Sequence, residues 1–121
     1  MPPMTETEMK QRTQKFALRI FKLTERLPNA RTGHVIANQI IRSGSSVAAN
    51  YRALCRAKSR ADFTNKTSIV EEEADETAFW LEMIQAADLP TNKQINSLLI
   101  EANELTAIIV ASRQTVISRS R

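Results

Sequence analysis

Apolar residues recur at intervals of three and four along most of this chain, which is the periodicity of amphipathic helices. In the first segment the recurring positions are Met9, Thr13, Phe16, Ile20, Leu23 and Leu27. In the last segment they are Ile95, Leu98, Ala102, Leu105, Ile109, Ser112 and Val116. No stretch shows the period-two alternation of a half-buried strand. The pattern therefore predicts an all-α protein.

Three short segments interrupt this periodicity: "LPNARTG" (27–33), "RAKSRAD" (56–62) and "DLPTNK" (88–93). Pro28 and Pro90 favour the end of a helix, and Thr32, Ser59 and Thr91 are suited to capping the next one. We therefore expect helices near 6–27, 33–56, 60–88 and 92–118. Short links make sequential helices antiparallel neighbours, so residues 1–121 are predicted to form one antiparallel up-down four-helix bundle.

The second predicted helix contains the unusual segment "RSGSSVAANY" (42–51). At about 100° per residue, Gly44 falls on the apolar face together with Ile40 and Val47. Glycine inside a helix costs about 1 kcal/mol relative to alanine. We expect this position to admit either a closely packed helix or a large side chain, for which Trp80 is the candidate.

The third predicted helix carries charged residues within or beside its apolar face. Because a buried charge must be paired and hydrogen-bonded, these residues need partners on a neighbouring helix. We predict a buried polar network between the second and third helices, formed by Arg42, Ser43, Asn50, Lys66, Glu73 and Glu76. The alternative is that Lys66 and Glu73 only extend to solvent at the edge of the core.

Charge is unevenly distributed along the chain, which has 17 Lys/Arg, 13 Asp/Glu and a net charge of +4. Residues 29–58 contain five basic and no acidic residues, whereas residues 59–90 contain two basic and eight acidic residues. On the first and second predicted helices, basic residues recur along one face of each helix. Such basic stripes suit contacts with phosphate groups. The candidate nucleic-acid ligands are Lys15, Arg19, Lys22, Arg26, Arg42, Arg52 and Arg56. The alternative is a merely solvated face, and no exposed aromatic ladder for base stacking accompanies the stripes.

The third and fourth predicted helices carry more apolar residues than one buried stripe requires, which indicates self-association. A monomeric bundle needs one apolar stripe per helix, and surplus apolar surface marks a partner surface. The predicted interface residues are Glu71, Asp75, Phe79, Glu82, Leu99, Val110 and Ile117. The acidic third helix would meet a basic helix of the next copy in a head-to-tail arrangement. The alternative is a monomer with wide core faces.

Catalytic and metal-binding patterns are not found. The chain has one cysteine, Cys55, and one histidine, His34, so neither a Cys–His pair nor a His-containing di-metal site is expected. We predict no enzyme activity, no metal and no cofactor. The first residues lack the apolar core of a signal peptide, and no run of 18 apolar residues occurs. We expect a cytoplasmic protein without a membrane partner.

The segments "RSGSSVAANY", "SRADF" and "KTSIVEEEADETAFWLEMI" resemble the family of four-helix-bundle proteins named after 23S ribosomal RNA intervening sequences. The resemblance covers roughly residues 14–115. The matching positions are Arg42, Ser43, Ser46, Asn50, Ser59, Asp62, Phe63, Lys66, Glu73, Glu76, Trp80 and Leu81. One departure is Ala53, where many members have a glutamate, and it leaves the second helix wholly basic.

The resemblance implies a bacterial protein with an antiparallel four-helix bundle that assembles into a ring-like homo-oligomer, typically a pentamer. Some members are encoded within ribosomal RNA insertions. A related branch, the accessory variability determinants of diversity-generating retroelements, binds nucleic acid and a reverse transcriptase. We therefore expect a non-catalytic oligomeric scaffold that binds RNA or DNA, a nucleic-acid enzyme such as a reverse transcriptase, or both. The alternative is a protein–protein adaptor without nucleic-acid binding.

Overall fold

The structure, a computed structural model, describes residues 4–119 and places most of them in four α-helices. These are α1 (Glu6–Thr24), α2 (Arg31–Leu54), α3 (Arg60–Ala86) and α4 (Ile95–Arg119). Residues 4–119 contain no strand. The predicted all-α class is confirmed, and each helix lies within a few residues of its predicted position.

Local side-chain hydrogen bonds explain where α1 and α3 begin. Thr5 caps α1, since its Oγ1 accepts a hydrogen bond from the Glu8 backbone N–H at 3.1 Å and the Glu8 carboxylate reaches back to the Thr5 N–H. This capping box satisfies two N–H groups that the helix itself cannot pair. Ser59 caps α3, as predicted, through a 3.0 Å bond from the Asp62 N–H.

The other two predicted caps are wrong. Residue Ala30 is the N-cap of α2 and offers no side-chain bond, so Thr32 lies inside the helix rather than ahead of it. Before α4, Asn92 accepts a hydrogen bond from the Gln94 N–H at 2.9 Å, and Thr91 does not act as the cap. A capping side chain can be recognised in sequence, but several adjacent polar residues offer the same chemistry.

The helices pack in an antiparallel sequence, in which each contacts the next and α4 closes against α1. The α1–α4 seam is the least extensive of the four, and polar side chains cross it. Arg12 donates to Glu101 at 2.6 and 2.7 Å and to Glu104 at 2.5 Å. Hydrogen bonding to Glu101 raises the pKa of the Arg12 guanidinium, although partial burial opposes the shift. This arrangement is the predicted four-helix bundle.

The core is apolar and draws on all four helices. The predicted stripe of α1 is buried from Met9 to Leu23 and that of α4 from Ile95 to Ile109, whereas Leu27, Ser112 and Val116 are half-buried. The buried apolar residues are Met9, Phe16, Ala17, Ile20, Leu23, Ile36, Ile40, Val47, Tyr51, Leu54, Val70, Ala74, Ala78, Leu81, Ile84, Ile95, Leu98, Ala102, Leu105 and Ile109.

The buried glycine of α2 allows close approach of α1. A Cβ atom built on Gly44 would lie 3.2 Å from both Cγ atoms of Ile20 and 3.3 Å from its Cβ. The expectation of a tight helix contact is therefore correct. The suggestion that Trp80 fills this space is wrong, because Ile20 occupies it and Trp80 lies half-buried on α3.

By length and composition alone, α4 could cross a membrane, since its most apolar window has a hydropathy of 1.3. In the bundle, packing explains part of this apolar character. Its residues Ile95, Leu98, Leu105 and Ile109 are buried in the shared core, as in the core helix of a helical bundle.

Candidate functional site

A charged cluster joins α2 to α3 at the predicted polar segment. The guanidinium of Arg42 donates to Glu73 at 3.1 Å and also to Glu76, and the Trp80 indole N–H donates to Glu76 at 3.4 Å. The pairing of Arg42 with both carboxylates agrees with the prediction. The Arg42 side chain is 50% exposed, however, so this cluster lies on the surface of the seam rather than in the core.

The remaining members of the predicted network do not join this cluster. Asn50 donates to the carbonyl and hydroxyl oxygens of Ser46 on its own helix, each at 2.8 Å. Lys66 forms an ion pair with Asp62 at 2.9 Å, also on its own helix. The prediction of one buried network is therefore wrong, because residues four apart on a helix are nearer to each other than to the adjacent helix.

The Asp62 carboxylate is stabilised in its charged form. The hydrogen bond from Lys66, supported by the Lys58 backbone N–H at 3.0 Å, lowers the pKa of Asp62 below its ordinary value. Because the Asp62 backbone N–H also donates a hydrogen bond to the Ser59 hydroxyl oxygen, Asp62 secures the first turn of α3.

The polar contact that is fully buried between α2 and α3 joins Ser43 and Thr77. Their hydroxyl oxygens lie 2.9 Å apart, and both residues are 0% exposed. Ser43 belonged to the predicted set, but Thr77 did not. The sequence did contain a signal for this contact. Thr77 lies on the apolar face of α3, where a buried hydroxyl group needs a hydrogen-bond partner.

The predicted nucleic-acid ligands fall into two groups. Arg42 is paired with carboxylates, and Arg19 donates to Gln94 and Ser97 at 2.7 Å each. The others are exposed, and their side chains form no ion pair or hydrogen bond with any residue of 4–119. We call these the unpaired basic set: Lys15, Lys22, Arg26, Arg52 and Arg56.

Two members of this set line a cleft between α1 and α2. Its volume is about 430 Å³, and its lining comprises Lys10, Gln14, Ala48, Ala49, Arg52 and Arg56. Sequence analysis missed Lys10 and Gln14, because a linear charge pattern does not show which residues of α1 face α2.

The acidic residues predicted for the interface lie on α3 but differ in their pairing. Glu71 forms an ion pair with Arg113 of α4 at 2.7 Å, so it helps to join two helices of the same chain. A groove of about 340 Å³ beside this pair is lined by Ser68, Glu71, Glu72, Asp75, Thr106 and Arg113. Asp75 and Glu82 are exposed and have no ion-pair partner among residues 4–119.

Exposed apolar side chains occur on both α1 and α3. Phe79 is 48% exposed and packs edge-on against Trp80, with ring centroids 5.0 Å apart, and Met83, one turn further along α3, is 41% exposed. On α1, Leu18 is 57% exposed and Phe21 is 38% exposed. These pairs are larger than the scattered single residues of an ordinary surface.

The predicted apolar stripe of α4 is less accessible than expected. Leu99 packs against the core, and Val110 and Ile117 are half-buried. The most exposed apolar residue of α4 is instead Ile100, at 60%. Burial within the bundle therefore accounts for part of the apolar width that the sequence suggested was left for a partner.

Potentially reactive side chains are dispersed. Burial raises the pKa of the Cys55 thiol, which disfavours the nucleophilic thiolate, and His34 hydrogen-bonds to Asn29 at 2.7 Å. Within residues 4–119, no group of three or more His, Cys, Asp or Glu side chains could hold a metal ion. The described part of the chain thus presents mainly charged and apolar surfaces.

These features define an antiparallel four-helix bundle whose exterior separates unpaired cations on α1 and α2 from unpaired carboxylates on α3. The chain belongs to the 23S rRNA-intervening sequence protein family, whose model matches residues 5–111.

A solved structure supports this assignment. The chain is similar, at 35% sequence identity and a TM-score of 0.81, to a protein of unknown function from the S23 ribosomal protein family of Bacteroides thetaiotaomicron VPI-5482. The alignment covers 92% of this chain and 99% of that one. No curated protein matches the chain.

Proposed function

We propose that this protein is a non-catalytic homo-oligomeric scaffold that binds nucleic acid through the basic surface of α1 and α2. The observation that carries the proposal is the unpaired basic set. Its five side chains are exposed and have no carboxylate partner within residues 4–119, so their charge is available to phosphate groups or, on α1, to a neighbouring copy of the chain.

The pairing of the other arginines supports this assignment. Arg12, Arg42 and Arg113 each contact carboxylates across a seam between helices, which gives them a structural role. We therefore leave Arg42 out of the proposed nucleic-acid surface. The described surface of α1 and α2 exposes one aromatic side chain, Phe21, so recognition rests on phosphate contacts more than on base stacking.

Self-association is the second part of the proposal, and complementary surfaces on α1 and α3 support it. On α1, the exposed Leu18 lies between Lys15 and Lys22. On α3, the exposed Phe79 and Met83 lie beside Asp75 and Glu82. Apolar contact with opposite charges at its rim favours α1 of one copy meeting α3 of the next.

Such an interface is heterologous, because different surfaces of the two copies meet. Heterologous contacts close into a ring when the rotation between copies allows it. This agrees with the ring-like homopentamer that the family resemblance implies. The same resemblance suggests a cytoplasmic protein that also contacts a nucleic-acid enzyme, for example a reverse transcriptase.

Light-scattering mass after size exclusion tests both parts, with and without a short structured RNA at low and moderate salt. We expect a mass several times the 13.6 kDa of one chain, an increase on adding RNA, and loss of the RNA as salt rises. A monomer at all concentrations would overturn the scaffold, and an oligomer that ignores both RNA and DNA would overturn nucleic-acid binding.

Paired variants locate the interface. Leu18→Glu and Phe79→Arg each place a like charge at the proposed contact and should dissociate the oligomer. Ile100→Glu is the matched control, since Ile100 is equally exposed but lies on α4 outside the proposed contact. If Ile100→Glu dissociates the oligomer and the other two variants do not, the α1–α3 interface is wrong.

The second candidate function is a protein–protein adaptor without nucleic-acid binding. The exposed pair Phe79 and Met83, with Trp80 behind Phe79, is the observation that favours it. An oligomer that is indifferent to nucleic acid in the experiment above, but is still dissociated by Phe79→Arg, would support this candidate.

A further inference from the structure

The cleft between α1 and α2 differs in shape from the rest of the basic surface. Lys15, Lys22 and Arg26 are exposed on and just beyond α1. The cleft, by contrast, is a concavity of about 430 Å³ with one wall from α1 and the other from α2 and the turn that follows it. A concave site lets donors from two elements converge on one ligand.

The polar groups of this cleft are hydrogen-bond donors. Arg52 and Arg56 have no side-chain partner within residues 4–119, and Gln14 contributes an amide N–H₂ group. Lys10 forms an exposed ion pair with Glu6 at 3.2 Å, which a competing anion can displace. Among the described residues, those that line the cleft include no carboxylate.

The spacing of the donors suits a ligand with more than one anionic group. Each wall carries two donors four residues apart, which corresponds to roughly 6 Å along a helix. Between them, Ala48 and Ala49 are too short to fill the space. Arginine can bind phosphate oxygens with two parallel N–H groups, so it fixes orientation as well as charge.

We propose that this cleft is a phosphate-anchoring site that holds two consecutive phosphates of a nucleic-acid strand, with Arg52 and Arg56 as the principal ligands. The inference rests on the proposed function, because nucleic acid is its ligand. It assigns the phosphate contacts to the cleft and leaves the outer basic residues of α1 free for the neighbouring copy.

The test compares two double variants that remove the same charge. Arg52→Gln with Arg56→Gln alters the cleft, and Arg31→Gln with Lys93→Gln is the matched control, because Arg31 and Lys93 lie outside both the cleft and the unpaired basic set. All four residues are exposed and make no ion pair within residues 4–119, so both proteins should fold, which circular dichroism checks. Fluorescence anisotropy with a labelled single-stranded RNA, repeated over a salt series, measures binding.

We expect the cleft variant to lose about tenfold or more in affinity. We also expect the slope of log K against log salt to fall by about 1.4, since each phosphate contact on a single strand contributes about 0.7. The control should keep most of its affinity. Equal losses in the two variants, or a larger loss in the control, would overturn the cleft assignment while leaving nucleic-acid binding intact.

A gain of binding provides a test that misfolding cannot imitate. Glu6→Gln releases Lys10 from its ion pair and should tighten RNA binding, whereas Glu25→Gln removes the same charge at the C-cap of α1, away from the cleft. A larger gain for Glu25→Gln than for Glu6→Gln would contradict the proposed site.

Calorimetric titration with tripolyphosphate separates failure of the site from failure of the proposed function. Binding of tripolyphosphate but not of RNA or DNA, lost in the cleft variant, would retain the polyphosphate site and overturn nucleic-acid binding. Binding of RNA that does not depend on Arg52 and Arg56 would retain nucleic-acid binding and overturn the polyphosphate site. If the wild-type protein binds neither probe, both proposals fall.

Discussion

Replacing Gly44 by alanine tests whether close packing of α1 on α2 requires glycine at this position. Alanine would gain about 1 kcal/mol of helix propensity. Its Cβ, however, would lie 3.2 Å from both Cγ atoms of Ile20, which is 0% exposed and β-branched and so has little freedom to move. Overpacking of this kind costs about 1–3 kcal/mol. We expect Gly44→Ala to destabilise the protein by about 0–2 kcal/mol.

The effect of Gly44→Ala on stability should change sign when the Cγ atoms of Ile20 are removed. Ile20→Ala alone should cost about 2–5 kcal/mol, as for other large-to-small changes in a core. In that background the Cγ atoms are gone and only the Cβ of residue 20 remains close, at 3.3 Å, with emptied space into which it can shift. Gly44→Ala should therefore no longer destabilise the protein and should stabilise it by up to about 1 kcal/mol. The coupling energy between the two positions is then about 1–3 kcal/mol.

Urea unfolding at fixed protein concentration, followed by the fluorescence of Trp80, measures all four proteins of this cycle, because Trp80 is the single tryptophan. Ala49→Gly, at an exposed position of the same helix, is the control for propensity and should cost about 1 kcal/mol in both backgrounds. If Gly44→Ala stabilises equally with and without Ile20, contact with Ile20 does not explain the glycine.

Three further predictions concern the contacts around α3. Thr77→Val should cost about 1–2 kcal/mol in urea unfolding because it removes the buried hydrogen bond that Thr77 donates to Ser43, whose hydroxyl then keeps only its 3.4 Å bond to the Ile40 carbonyl, and the double variant with Ser43→Ala should cost less than the sum of the single variants. Because the folded-state pKa of Asp62 is lowered, its stabilisation is fully present above the ordinary value of 3.8 and is lost as the pH falls through the folded value. Asp62→Asn should therefore flatten the acid side of the stability–pH curve, and an unchanged curve would contradict the Lys66 and capping contacts. Arg42→Gln should lower the melting temperature slightly and leave RNA affinity unchanged, and a loss of affinity like that of the cleft variant would return Arg42 to the binding surface.

The fold was predictable because its signals are local in the sequence. The spacing of apolar residues indicates each helix, and Pro28 and Pro90 mark two of the links between helices. Each buried stripe follows from periodicity within one helix. The helix ends were less accurate: α1 ends at Thr24 rather than near residue 27, and α4 begins at Ile95 rather than near residue 92. Several backbone N–H and C=O groups near each helix end can find hydrogen-bond partners in more than one way, so the amino-acid composition does not select a single helix boundary.

The contacts between helices were harder to predict. A helical wheel shows which residues share a face but not which helix lies opposite that face. This is why Gly44 was correctly placed in the core while its neighbour was assigned to Trp80 instead of Ile20. Asn50 was misassigned for a related reason, since a short polar side chain can bond to its own helix as well as across a seam.

Some arginines pair with carboxylates within the bundle, and others remain available to a ligand. The sequence does not distinguish the two groups, because it does not show which helix lies opposite each arginine. In the linear sequence Arg42, Arg52 and Arg56 are equivalent members of one basic stripe, with no acidic residue nearby in the chain. In the bundle, α3 presents two carboxylates to Arg42, whereas the cleft presents none to Arg52 and Arg56. An arginine that binds carboxylates across a seam cannot bind phosphate without weakening that seam. Arginines beside a polar seam therefore stabilise the bundle, and those beside an open cleft remain available to a ligand.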